Sequence, residues 1–179
     1  RMPTSTNLNG GNTFVEVDSA VIIDSDVTVT DPEQDALNSG NGNYAGASIT
    51  IARNGGANRD DLFGHSGLLG TLTPSNTFTY SGTIVGTVTT NAGGTLKLTF
   101  NSSATTAIVT GVLQSITYAN PSHTPPASVT LDWTFNDGTT DSTGSNQASV
   151  IITALNDAPL VTAGGTLVYT EGPAAAALH

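Results

Sequence analysis

The chain contains no cysteine, so neither a disulfide framework nor a thiolate metal site is open to it. At 179 residues it is large enough to bury a core without such staples. Basic residues are nearly as scarce. Lys and Arg together number 4 against 14 Asp and Glu, giving a formal charge of −10, and Lys97 is the single lysine. A field of that sign repels polyphosphate, which argues against nucleic acid as a partner and makes multivalent cations the natural counter-charge. No apolar run is long enough to span a bilayer, so membrane insertion is not expected.

The residues of common catalytic devices are also few. The histidines are His65, His123 and His179, and their spacing supports no zinc site. Gly64-His65-Ser66-Gly67 lacks the spacing of a nucleophile elbow, and no glycine-rich phosphate loop carries a lysine. The chain is therefore expected not to be an enzyme.

What remains is rich in Thr, Ser, Asn and Gly around a 37% hydrophobic content, and β-branched residues favour strands. Val27 and Val29 alternate with threonines, and Ile49 and Ile51 with Ser48 and Thr50. Leu96, Leu98 and Phe100 follow the same period of two, and Val129, Leu131, Trp133 and Phe135 give it most clearly. Turn residues punctuate these runs at Gly40–Gly42, Gly55–Gly56, Pro74–Asn76, Gly93–Gly94 and Asp137–Gly138. One segment changes period. Thr105 or Thr106 can cap a short helix with Ile108, Val109, Val112 and Leu113 on one side, crossing between sheets before Ile116-Thr117-Tyr118. The expected fold is all-β, an antiparallel β-sandwich with one short crossover helix.

The chain also resembles itself. Gly10-Gly11-Asn12-Thr13-Phe14-Val15-Glu16 returns as Gly164-Gly165-Thr166-Leu167-Val168-Tyr169-Thr170-Glu171, with an aromatic two residues before the glutamate in both copies. This predicts a linker or cloning remnant over 1–9, a complete repeat over 10–155, an inter-repeat linker over 156–163 and the truncated first strand of a next repeat over 164–179.

Taken in order, Thr13-Phe14-Val15-Glu16, Val27-Thr28-Val29-Thr30-Asp31, Ser115 to Asn120, Phe135-Asn136-Asp137-Gly138 and Leu155-Asn156-Asp157-Ala158-Pro159 resemble the cadherin-like repeats of large bacterial RTX-type surface adhesins. The likeness spans essentially the whole chain. It implies an Ig- or cadherin-like sandwich, tandem arrangement, secretion to the bacterial cell surface, calcium at or near the domain joints, and no catalysis. Asp18-Ser19 departs from the glycine-rich spacer usual after the glutamate, and Gly172-Pro173 with its alanines departs in the second copy.

Calcium takes six to eight hard oxygens, and four places offer carboxylates. Asp31-Pro32-Glu33-Gln34-Asp35 sets them at alternate positions, as a metal loop or a solvated acidic turn. Asn156 and Asp157, with Asp137 on a preceding loop, resemble a linker corner, or else form an Asx-turn before Pro159; Glu16 is placed at the joint with a preceding unit, and Glu171 at the joint with the next. Gly55 to Phe63 approaches the nonapeptide of calcium β-rolls, with Asp60 as ligand, but a single copy cannot build a β-roll, and the stretch reads better as a hairpin loop with Asp60 or Asp61 bonding backbone amides. Asp24-Ser25-Asp26 reads as a turn.

The expected function is a structural and adhesion module whose partners are neighbouring repeats and a cell-surface glycan or protein. The alternative is a carbohydrate-binding sandwich. Trp133 and Tyr118 belong to core strands on this reading, which leaves Tyr44, in a Gly- and Asn-rich loop, as the aromatic expected at the surface.

Overall fold

Strand β11 (Ser128–Asn136) turns the sequence alternation directly into structure: Val129, Leu131, Trp133 and Phe135 are buried and Thr130 and Thr134 are exposed. The computed structural model describes residues 1–156 and Gly164. On one side β11 pairs antiparallel with β13 (Gln147–Thr153), and on the other with β5 (Ser48–Arg53). The sheet continues through β9 (Thr95–Phe100), β8 (Thr83–Ala92) and β7 (Thr77–Tyr80), and β2 (Gly10–Val15) closes the other edge, giving the order β2-β13-β11-β5-β9-β8-β7. The tight β8–β9 hairpin uses Gly93 and Gly94 at φ +64° and +88°, the left-handed backbone that a two-residue turn of this hand requires.

Two three-stranded sheets complete the layers: β3-β10-β6, from Val21–Ile22, Ile116–Ala119 and Leu62–His65, and β12-β1-β4, from Thr143–Gly144, Thr4–Thr6 and Thr28–Thr30. The buried apolar side chains of all three sheets form a single cluster. Across it, Phe14 of β2 meets Tyr118 of β10 edge to face at 6.1 Å. The fold is an all-β sandwich, mostly antiparallel, and Trp133 and Tyr118 lie in its core as expected.

Helix α2 (Thr106–Leu113) is the expected crossover. Thr105 caps it by accepting from the Ile108 amide, and Val109, Val112 and Leu113 are buried. Three features differ from the sequence reading. The stretch 1–9 is not a bare linker, because β1 pairs with β4 and, in parallel, with β12. Strand β2 likewise pairs with β13 in parallel. The acidic segment after β4 is helical, α1 (Pro32–Ala36), rather than an open loop. The linker beyond Asn156, with Asp157, and the second repeat copy with Glu171 lie outside the described residues.

Candidate metal centres at the two poles

The ladder register fixes two opposite ends of the sandwich. Ser128 pairs with Ile151 at one end of β11, while Asn136 and Asp137 lie at the other, about 27 Å away at 3.3–3.4 Å per residue. Asp137 and Asn156 thus cannot share a site; the linker corner expected from them is not formed.

The Asp137 pole is built by α1. Asp31 is an N-cap: its Oδ1 accepts from the Glu33 and Gln34 amides at 2.9 and 3.1 Å, Pro32 follows at the first helical position, and Glu33 and Asp35 fill the first turn. That is the chemistry a helix start prefers, which is why these five residues coil rather than wrap an ion as a loop. Asp35 turns inward. Its Oδ2 accepts from the Asp31 amide at 3.1 Å, and its Oδ1 from the Tyr44 hydroxyl at 2.5 Å and the Thr106 hydroxyl at 2.7 Å. Gly42, at φ +90°, lets this loop lie against Thr106, where any side chain would collide. Glu33 is exposed and meets the Arg1 ammonium at 3.1 Å.

Asp31 is wholly buried, yet its Oδ2 has no hydrogen-bond partner, and neither has the buried Oε1 of Gln34. Gln34 reaches Asp137, its Nε2 donating to the Asp137 carbonyl at 2.9 Å. Asp137 also accepts on Oδ1 from the amides of Thr139 and Thr140 and from the Thr139 hydroxyl. Partial burial pushes its pKa up, but the Thr140 and Thr139 amides, the Thr139 hydroxyl and Asp31 outweigh that and hold it below the ordinary carboxylate value. Acceptors outnumber donors here. Buried acceptors left unmade are costly, and hard oxygens without donors are what a divalent cation requires.

The opposite pole carries Glu16, 1% exposed at the end of β2. Its amide donates to Thr153 and its Oε2 accepts from the Leu155 amide at 2.9 Å. Oε1 is buried without a hydrogen bond; the exposed His123 ring stands 3.4 Å from it. Glu16 therefore sits beside the end of β13, and Asn156 follows Leu155 at the surface. Among the described residues no three carboxylate or imidazole side chains gather in one place. An ion at either pole would therefore need further ligands from amide or main-chain oxygens or from water.

The other candidates have structural roles. The Asp60 amide donates to Asn58 Oδ1 in an Asx-turn. Its neighbour Asp61 is buried, gripped by Arg53 at 2.6 and 2.8 Å and by the Tyr118 hydroxyl at 2.5 Å, with Asn120 donating onward to that hydroxyl. Asp24 accepts four backbone amides, from Asn9, Gly10, Asp26 and Val27, and so pins the β1–β2 connection. Tyr44 is fully buried, which removes it as a sugar-stacking platform. Ser66 donates to the Ser115 carbonyl and His65 Nδ1 faces the Leu69 carbonyl, so the two are not a nucleophile and its base. Among the described residues no helix is long and apolar enough to cross a membrane.

No protein-family model, characterised protein or solved structure matches the chain.

Proposed function

We propose that this chain is a non-enzymatic structural and adhesion module of a repetitive bacterial surface protein, stiffened by calcium. The observation that carries the reading is the pair of buried carboxylates, Asp31 and Glu16, each with an oxygen that makes no hydrogen bond and each at its own end of the sandwich. Sites at both ends suit a unit joined head to tail, because an ion there restrains the angle between neighbours. Asp31, Gln34 and Asp137 are the ligands at one pole. Glu16 serves at the other, with Asn156 and Asp157 following directly on Leu155, whose amide Glu16 holds. The donor set fits the ion: every group is a hard oxygen. Few carboxylates per site agree with the weak affinities of extracellular modules, about 10⁻⁴–10⁻³ M, and hence with a secreted, surface-exposed address. The resemblance to cadherin-like adhesin repeats points the same way, and the partners are then neighbouring repeats of the parent chain.

Calorimetry with calcium and with EDTA tests this. A ligand at 100 times its Kd adds about 2.7 kcal/mol. At about 2–4 °C per kcal/mol for a chain of this size, the melting temperature rises by roughly 5–10 °C for each site filled. Identical melting in both buffers would remove calcium from the proposal.

A further inference from the structure

The solvent face of the large sheet carries a groove of ≈ 390 Å³ at the Asp137 end. Its floor is two ladder rows, Thr134–Thr50–Lys97 and Asn136–Ser48–Thr99, contributed by β11, β5 and β9. Strands stand about 4.8 Å apart and same-face residues about 6.7 Å, so the floor measures about 10 by 7 Å, the footprint of a pyranose ring. Every one of these side chains offers a hydroxyl, an amide or an ammonium. Asp141 stands at the rim, where its Oδ1 accepts from Asn136 Nδ2 at 2.8 Å.

Lys97 is the informative residue. It is half-buried, and among the described residues it meets no carboxylate and makes no side-chain hydrogen bond, although the chain holds 14 acidic residues. The hydroxyls of Ser48, Thr50 and Thr134 likewise have no protein partner among the described residues, whereas Thr99 is engaged by Thr89 at 2.6 Å. A solvated polar sheet face is ordinary. A concave one with the single lysine in its floor and a carboxylate on its rim is an array of donors and acceptors in search of a hydroxylated partner.

We propose that this groove binds a neutral saccharide, with Lys97 donating to sugar oxygens, Asp141 accepting from a sugar hydroxyl, and Ser48, Thr50 and Thr134 completing the contacts. Neutral sugar is favoured over polyuronate because Lys97 and Asp141 balance within the groove while the chain as a whole carries −10. No aromatic ring lines it, so specificity rests on hydrogen bonds alone. This proposal is independent of the calcium reading.

Amide-resolved NMR titration of the whole chain with cellohexaose, maltohexaose and mannohexaose, and with a hexagalacturonate arm, tests it. The expected result is perturbation of the Ser48–Thr50, Lys97–Thr99 and Thr134–Asn136 amides by at least one neutral sugar. Lys97→Ala should weaken that binding at least tenfold. Ser48→Tyr, which fills the groove from the solvent face, should abolish it with the melting temperature unchanged. Silence of those amides toward all three neutral sugars, preference for the uronate, or binding that survives Ser48→Tyr would each overturn it.

Discussion

Gln34, in α1 just beyond β4, donates from Nε2 to the main-chain carbonyl of Asp137, which follows β11, at 2.9 Å, and this bond ties together one pole of the sandwich, where Asp31 Oδ2 and Gln34 Oε1 are buried without hydrogen-bond partners. Acceptors buried without donors are costly, and a bound cation would satisfy them. The sign of a single substitution separates a cation site from a merely strained corner.

Asp31→Asn keeps the Oδ1 that caps α1 and replaces the orphaned Oδ2 with an amide donor. In EDTA the variant should melt at or above the temperature of the parent, since a buried carboxylate oxygen without a donor is removed while the helix cap is kept. In calcium it should lose about half of the parent's gain, the rest belonging to Glu16. Glu16→Gln should remove the other half. Paired calorimetric scans read both, and a full calcium gain in Asp31→Asn would assign the ion elsewhere.

The low pKa of Asp137 makes a pH signature. A carboxylate held below its unfolded value of about 3.9 contributes stability that is present above that value and is lost as pH falls through the folded one. Asp24 is shifted the same way, since its burial is outweighed by the Asn9, Gly10 and Asp26 amides, while the hydrogen bond from Asp26 to Asp24 raises Asp26. Acid unfolding in EDTA should therefore steepen below about pH 4. Asp137→Asn should shallow that limb, and an unchanged acid midpoint would contradict the arrangement.

The strands were legible because burial of one face writes a period of two into the residues, as in Val129 to Phe135, and α2 because its apolar residues change to a helical spacing behind a threonine cap. Strand β1 was not, since Thr4-Ser5-Thr6 has no apolar alternation and forms only by pairing with β4 and β12. Local composition misplaced Tyr44: its glycine- and asparagine-rich neighbours suggested exposure, but what a loop packs against is a long-range fact. Here it is Asp35 through the hydroxyl and Ala104 through the backbone amide. Asp31 and Asp137 were each identified as candidate ligands, yet assigned to separate sites, because nothing local records that the end of β4 lies beside the end of β11. The groove around Lys97 left no trace, being made of ordinary solvent-face residues on three strands.

Tyr44 and Tyr118 are both fully buried. Burial first, and then hydrogen bonding to Asp35 and Asp61 respectively, raises both phenols well above their ordinary value. A group whose folded pKa is raised contributes stability that is complete below its unfolded pKa, about 10, and is lost as pH rises beyond it. Ultraviolet titration should show these two phenols ionising only together with loss of the fold. Tyr44→Phe should lower stability by about 1.5–3 kcal/mol, the usual worth of a hydrogen bond to a charged group. A Tyr44→Phe variant as stable as its parent would mean that Asp35 does not need that donor.

The Arg53–Asp61 pair gives the sharpest test of the buried polar network. Asp61 is inaccessible to solvent, and its charge is met by both Arg53 nitrogens and by Tyr118. Removing one partner strands the other, whereas removing both leaves only the Tyr118 hydroxyl short of an acceptor, still held by Asn120. Arg53→Met should accordingly cost about 3–5 kcal/mol, and the double variant Arg53→Met with Asp61→Leu should recover a large part of that loss. Chemical denaturation of the parent, both single variants and the double closes the cycle. If Arg53→Met unfolds at the same denaturant concentration as the parent, then Tyr118 and Asn120 alone suffice to hold the carboxylate, and the arginine is a surface group that happens to lie near.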